Sequence, residues 1–160
     1  MNAFTGTIHA KKDVKGRVFI PATFRKILQS FGDSCLVLRK DIHQDCLALY
    51  PEKTWEEVLN KRQEELDDWG DGNSQHTFRM ISAFTETVEL DSSGRILIPK
   101  RYLNMAKITN SVCFVGMNKY IEIWNPDLFN KVMLSADDLK INVRKYLSRS
   151  RQVNENSNHQ

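Results

Sequence analysis

The strongest constraint on the fold is an internal repeat. Residues 13–21 read DVKGRVFIP and residues 91–99 read DSSGRILIP, so the pattern returns 78 residues later, and the match continues to the aromatic pair Phe24 and Tyr102. A second block, LALYP at 47–51, returns as IEIW at 121–124 followed by Asn125 and Pro126. Because self-similarity at a fixed spacing marks a repeated structural unit, we interpret the chain as a tandem duplication whose second copy is slightly shorter.

Each copy is predicted to contain short strands and one short helix. Val18–Ile20 is an apolar run bounded by a glycine and a proline, which indicates a buried strand. Thr23–Phe31 places its apolar residues at helical spacing and is followed by a glycine, which predicts a helix that ends there. Two further strands are predicted in each copy, at Cys35–Leu38 and Leu47–Tyr50 in the first and at 112–115 and 120–124 in the second.

Helices are predicted after each copy. The capping box Thr54–Glu57 predicts the start of one, with its apolar side running from Trp55 to Leu66. Asn125 before Pro126 is typical of a second start. The acidic stretch from Asp67 to Asn73 is the natural boundary between the copies. Residues 74–84 favour a helix, although 85–90 alternates like a strand.

The predicted organisation therefore has a first repeat at 5–53, a helical and acidic linker at 54–81, a second repeat at 82–126, C-terminal helices at 127–147 and a disordered tail at 148–160. The tail is nearly free of apolar residues, which is typical of disorder. A module of about 50 residues with a few short strands buries too little surface to be stable alone. The two copies are therefore expected to interlock around one core with two-fold pseudo-symmetry.

Composition excludes several classes of protein. The three cysteines, Cys35, Cys46 and Cys113, form no C-x-x-C pair, so we predict core thiols and neither a disulfide framework nor a metal site. No apolar stretch approaches the ~18 residues of a membrane span, and the N-terminus lacks a signal-peptide pattern. We therefore predict a cytoplasmic protein with no membrane partner, no cofactor and no small-molecule substrate. No set of acid, base and nucleophile converges in either copy, so we predict that it is not an enzyme.

The repeated Asp-x-x-Gly-Arg turn is the candidate functional motif. Its aspartate is placed to accept hydrogen bonds from the amides of the turn, and its glycine can take a positive φ. An arginine on such a hairpin suits phosphate contact and bidentate recognition of guanine. The alternative is structural, with Arg17 and Arg95 simply pairing with Asp13 and Asp91 across their turns.

Local charge favours nucleic acid at the first turn. The net charge of the whole chain is only +3, but residues 11–26 contain six basic residues and one acidic residue, whereas residues 89–104 contain three and two. Because neutralised phosphates dominate affinity for DNA, the first turn is the stronger candidate. The predicted DNA-binding residues are Arg17, Lys15, Lys12, Lys11, Arg95 and Arg25, and the predicted turn-stabilising residues are Asp13, Gly16, Asp91 and Gly94.

Taken together, these motifs resemble the MraZ family of the SpoVT/AbrB group. The resemblance rests on both turns with their following apolar triplet and proline, on 41–43 with 46–51, and on 115–116 with 121–124, and it covers about residues 4–147. It implies an α+β, mainly β fold of tandem AbrB-like swapped-hairpin repeats that form one pseudo-dimeric β-barrel with flanking helices. The family's D-x-x-x-R arginine corresponds to Arg17 and Arg95, whereas Ser93 departs from the basic Lys15.

The resemblance also implies a function. Family members are nucleoid-associated transcriptional regulators that bind direct repeats of double-stranded DNA in the promoter of the division and cell-wall gene cluster, as ring-shaped homo-oligomers. The alternative is an antitoxin-like or scaffold interaction module with the same barrel. We expect the aromatic residues Tyr50, Trp55, Trp69 and Trp124 to belong to the core or to a subunit interface.

Overall fold

The computed structural model describes residues 3–32, 34–65, 72–133 and 136–157. Its contacts divide it into two units, residues 1–129 and 130–160. Several positions named above lie outside the described residues, namely Leu66, the acidic segment 67–71 with Trp69, and the last three residues of the tail.

In the described part of the chain, eight strands and six helices follow one another in the order β1 β2 α1 β3 β4 α2 α3 β5 β6 α4 β7 β8 α5 α6. The first copy provides β1 (Thr7–Lys11), β2 (Arg17–Phe19), α1 (Ala22–Ser30), β3 (Cys35–Lys40) and β4 (Leu47–Pro51). The segment between the copies forms α2 (Glu52–Glu65) and α3 (Gly72–Ala83). The second copy provides β5 (Thr85–Glu89), β6 (Arg95–Leu97), α4 (Lys100–Met105), β7 (Ser111–Gly116) and β8 (Ile121–Trp124), followed by α5 (Pro126–Val132) and α6 (Ala136–Ser157).

The two copies pair strand by strand with each other. One sheet has the order β1-β7-β8-β4-β3-β5, with antiparallel neighbours throughout, and β2 pairs with β6 in a separate two-stranded ribbon. Each edge strand of the large sheet is therefore donated by one copy to the other. The α+β class is confirmed. Because β1 and β5 are not paired with each other in the described structure, the sheet is open, and the closed barrel and swapped hairpin stay predictions.

The core is built from equivalent residues of both copies. Buried pairs that share the repeat spacing include Phe24 with Tyr102 and Val18 with Ile96, and all four belong to one hydrophobic cluster. Neither copy could bury these side chains alone, since each half of the cluster packs on the other half. This packing is the physical reason for the strand exchange.

The connection between the copies differs in detail from its prediction. Helix α2 begins at Glu52, directly after β4, so Thr54 lies inside the helix, where it is buried, and does not cap it. The Trp55 ring packs on Tyr50 with the ring centroids 5.2 Å apart, and this contact favours a start of the helix immediately after the strand. Helix α3 and strand β5 are both formed, which resolves the ambiguity over residues 74–90.

Helix α5 begins as predicted at the Asn125 cap. The Asn125 Oδ1 accepts hydrogen bonds from the backbone N–H of Asp127 at 2.8 Å and of Leu128 at 3.4 Å. These bonds satisfy two of the amide donors that the first turn of a helix leaves without partners.

In the second unit, α6 continues to Ser157 through residues that we predicted to be disordered. The scarcity of apolar residues beyond residue 147 led to that prediction, but residues 136–157 contain neither glycine nor proline, so local hydrogen bonds can continue the helix. Its apolar side chains are largely exposed: Leu139, Ile141, Val143, Tyr146 and Leu147. None of the described helices combines the length and the apolar character needed to cross a bilayer.

Candidate nucleic-acid interface

The first turn joins β1 to β2 and is organised by one carboxylate. The Asp13 Oδ1 accepts hydrogen bonds from the backbone N–H of Lys15 at 3.0 Å and of Arg17 at 2.8 Å. Its Oδ2 pairs with the Arg17 Nε at 2.6 Å. The backbone N–H of Arg17, followed by its guanidinium, lowers the pKa of Asp13 below the ordinary value. The carboxylate therefore stays ionised at neutral pH and orients the arginine.

The second turn, between β5 and β6, repeats this arrangement. The Asp91 Oδ1 accepts hydrogen bonds from the N–H of Ser93 at 2.9 Å and of Arg95 at 2.8 Å, and its Oδ2 pairs with the Arg95 Nε at 2.9 Å. The same contacts, with the Arg95 backbone N–H first, lower the pKa of Asp91. In both turns only Nε is engaged by the aspartate, so the two terminal guanidinium nitrogens take no part in the pair. The structural alternative and the nucleic-acid prediction are therefore compatible.

Each turn is also tied to the opposite copy through its glycine. Gly16 has φ +92° and Gly94 has φ +84°, which are conformations that glycine adopts without strain. The Gly16 carbonyl accepts a hydrogen bond from the Ile98 N–H at 3.0 Å, and the Gly94 carbonyl accepts one from the Ile20 N–H at 2.9 Å. Both turns consequently extend the ribbon of β2 and β6 at its two ends.

The ribbon presents both arginines on one outward face. In its antiparallel register Arg17 lies opposite Leu97 and Phe19 lies opposite Arg95, while the middle residue of each strand is buried in the core. Phe19 is 54% exposed and Leu97 is 53% exposed. The Arg95 guanidinium carbon lies 5.7 Å from the centroid of the Phe19 ring. Two oriented cations and two exposed apolar side chains thus share a narrow two-stranded surface.

Arg25, which the sequence associates with the first turn, lies at the second. It belongs to α1 of the first copy, and its side chain lies so close to Gly94 that a Cβ built there would be 2.7 Å from the Arg25 Cδ. At the first turn the equivalent neighbour is Leu103, whose Cδ1 would be 3.2 Å from a Cβ on Gly16. The sequence window around the first turn therefore includes one cation, Arg25, that lies at the second turn in the folded protein. The two copies exchange strands, and this exchange brings α1 of the first copy to the turn of the second.

The predicted lysines are placed at and beside the first turn. Lys15 is exposed on the turn, and the Lys12 Nζ donates a hydrogen bond to the Asp13 carbonyl at 3.0 Å. Lys11 is exposed at the end of β1. Lys12 and Lys15 line a cleft that also contains Lys100, a residue absent from the predicted set. Its sequence signal is weak, since Lys100 follows the proline of the second copy and its counterpart, Ala22, is neutral.

The remaining candidates from the sequence belong to the core. Tyr50, Trp55 and Trp124 are buried, which agrees with a core position. Cys46 and Cys113 pack with Trp124 in a small apolar cluster. Burial raises the pKa of both thiols above the ordinary cysteine value, so both are protonated at neutral pH.

Comparisons with known proteins agree with the resemblance described above. The family model described as "MraZ protein, putative antitoxin-like" matches residues 3–69 and 81–152. A relative from Phocaeicola vulgatus, named "Transcriptional regulator MraZ", is 47% identical over 137 residues, which cover 84% of this chain and 87% of that protein. A protein of the same name from Bacteroides fragilis (strain YCH46) is 41% identical over 156 residues, 98% of each chain, and one from Christiangramia forsetii is 32% identical over 133 residues, 83% of this chain and 84% of that protein.

Proposed function

The chain belongs to the MraZ family, and on this premise we propose that it is a sequence-specific DNA-binding regulator of transcription. Relatives that align over most of its length are named transcriptional regulators. The observation that carries the proposal is the outward face of the β2–β6 ribbon, on which Arg17 and Arg95 are oriented by their aspartates. Transcriptional regulators are not a class of enzyme, so the proposal involves no catalytic residue.

The ribbon has the dimensions and the chemistry for direct readout of DNA. The major groove admits a two-stranded β-ribbon, and a guanidinium can donate two hydrogen bonds to the O6 and N7 of guanine. The Asp–Arg pairs hold each arginine in place before binding, which reduces the side-chain entropy lost on complex formation. Phe19 and Leu97 lie beside the arginines and are suited to contact the methyl groups of thymine.

We assign the larger share of binding to the first turn. Arg17 reads bases there, with Lys11, Lys12 and Lys15 as sources of phosphate contacts. At the second turn Arg95 has a neutral neighbour in Ser93. The additional cation there is Arg25, which is distant in the sequence but lies against Gly94 in the structure. Both turns therefore contribute, with unequal numbers of cations.

We also propose that the protein binds promoter direct repeats of the bacterial division and cell-wall gene cluster as a ring-shaped homo-oligomer associated with the nucleoid. A ring presents several turns to successive repeats, so that each further contact is intramolecular and adds avidity. The exposed apolar side chains of α6 and the two exposed edge strands support self-association. Light scattering coupled to size-exclusion chromatography would measure the mass, and a monomer at micromolar concentration would contradict the ring.

The function is tested by a gel-shift titration with the DNA upstream of the protein's own gene. The control is a duplex of equal length in which the direct repeats are scrambled. We expect tighter retention of the native duplex and a steep loss of affinity with rising salt, because bound phosphates release counterions. Absence of any retention at low salt would overturn the proposal.

The second candidate is an antitoxin-like interaction module, which the wording of the matched family model favours. In that role the protein inhibits a protein partner, and its activity does not require recognition of the native repeats. The two candidates separate in the same titration, because an interaction module without a regulatory role has no preference for the native repeats over the scrambled ones.

A further inference from the structure

A cationic cleft lies beside the first turn, between the β1–β2 hairpin and α4. Its volume is about 320 Å³, and three of the residues that line it are lysines, Lys12, Lys15 and Lys100. Asn104 adds a polar side chain, and none of the lining residues is acidic. Two lysines come from the first copy and one from the second, so the cleft exists only where the copies pack together.

The pseudo-symmetry of the fold shows that the three lysines are particular to the surroundings of the first turn. At the repeat spacing, the three lysines correspond to Leu90, Ser93 and Ala22, all of them neutral. Leu103, which lies against Gly16, corresponds to Arg25, whose longer side chain lies against Gly94. The two turns have the same backbone arrangement, but the positions at the second turn that correspond to the three lysines carry no ammonium group.

We infer that this cleft holds a phosphate group of the DNA backbone and that Lys100 is a DNA-binding residue contributed by the second copy. The inference rests on the function proposed above and adds to it a contact that fixes the position of the ribbon. Phosphate contacts of this kind set the register of a protein on the duplex, whereas base contacts set sequence preference. Lys15 and Gly16, which precede Arg17 in the first turn, line the cleft, so a phosphate held there would lie beside the turn that carries this arginine.

The chemistry of the cleft favours a phosphate over other anions. A lysine binds phosphate as a compact charge with three donors, and three such groups around one cleft match a tetrahedral anion with several acceptor oxygens. The Lys12 ammonium is already positioned by the Asp13 carbonyl. No lining carboxylate competes for the other two ammonium groups.

The decisive variant is Lys100→Gln, compared with Lys61→Gln as a control. Both variants lose one positive charge, but Lys61 is exposed on α2 and does not line the cleft. Gel-shift titrations across a salt series are expected to show that Lys100→Gln reduces the magnitude of the slope of log K against log salt by about 0.9, which is about a fivefold loss of affinity at 0.15 M salt. The control is expected to keep the wild-type slope.

If Lys100→Gln binds the native repeats with the affinity and the salt slope of the wild type, the inference is overturned. The proposed function would still stand in that case, because the variant would still bind the native repeats. Failure of the wild type to retain DNA would instead remove the proposed function and the backbone phosphate with it.

A second arm identifies the source of the phosphate. Sodium pyrophosphate is titrated into the wild type by calorimetry, at ionic strength matched with chloride. We expect no saturable binding at micromolar concentration, because a DNA phosphate is held together with the rest of the duplex. Saturable binding that Lys100→Gln abolishes would reassign the cleft to a phosphorylated small molecule.

Discussion

The two turns of this protein share one backbone and differ in their surroundings. In each, an aspartate accepts hydrogen bonds from two amides of its turn, a glycine with positive φ occupies the tip, and the glycine carbonyl is bonded to the opposite copy. The distances agree closely between the copies. The turn can therefore be duplicated without loss of structure, because the bonds that hold it involve only the aspartate, the arginine and the main chain.

The side chains around the turns are not duplicated. Lys15 corresponds to Ser93, and the apolar Leu103 at the first glycine corresponds to the cationic Arg25 at the second. The comparison shows how a repeated scaffold acquires two different surfaces. The hydrogen-bonded frame limits only a few positions, and the rest are free to differ in charge and size.

Removal of each arginine should give the largest difference between the turns. Arg17→Ala is expected to lower affinity for the native repeats about 100-fold, and Arg95→Ala about tenfold, both within the range of a lost bidentate base contact. Arg62→Ala, which removes an exposed arginine of α2, serves as the control and should bind like the wild type. Gel-shift titrations would measure all three, and equal losses for Arg17→Ala and Arg95→Ala would show that the turns contribute equally.

Alanine at the two glycines should separate the turns by stability. A positive φ costs an alanine about 1–2 kcal/mol at either position. At Gly16 the new Cβ would also lie 2.8 Å from the Ile98 carbonyl oxygen, which is main chain, whereas at Gly94 its neighbours belong to the flexible Arg25 side chain. We expect Gly16→Ala to lower the free energy of unfolding by about 3 kcal/mol and Gly94→Ala by about 1–2 kcal/mol. Urea unfolding would measure both, and a larger loss at Gly94 would contradict the packing described here.

The aspartates should make part of the stability depend on pH. Both carboxyl groups have a pKa below the ordinary value in the folded protein, so their contribution is present above the unfolded pKa of about 3.9 and is lost as the pH falls through the folded pKa. Asp13→Asn and Asp91→Asn should each be less stable than the wild type at pH 7, and the gap should shrink below about pH 4. Urea unfolding at a series of pH values tests this, and a gap that persists in acid would exclude the ion pair as its cause.

Introduction of a lysine at the second turn should have the smallest effect. Ser93→Lys makes this position resemble Lys15, and one added phosphate contact corresponds to about a fivefold gain in affinity at 0.15 M salt. Asn60→Lys adds the same charge on an exposed position of α2 and should leave the affinity unchanged. If the two variants behave alike in a salt series, the second turn does not approach the DNA backbone.

Much of the fold follows from local patterns. The turns, the short strands and α1 were predicted within a few residues, because glycine, proline and apolar spacing act over short stretches of chain. The start of α2 was not predicted correctly, because the packing of Trp55 on Tyr50 overrides the capping box at Thr54. C-terminal helices were predicted at 127–147, but the continuation of α6 to Ser157 was not, because the low apolar content of the tail was taken as disorder, whereas a helix without glycine or proline can continue on local hydrogen bonds alone.

The candidate site also has one part that the sequence predicts and another part that it does not. The repeat by itself determined that there are two Asp–Arg turns, because each depends on residues four positions apart that bond to each other and to the intervening amides. Only the tertiary structure decided which cations surround each turn. Arg25 reaches the second turn and Lys100 the cleft at the first, since the copies exchange strands and bring together residues distant in the chain. That exchange depends on apolar surface that one copy cannot bury alone. Local sequence patterns do not predict the geometry of the exchange, because it is set by contacts between residues distant in the chain.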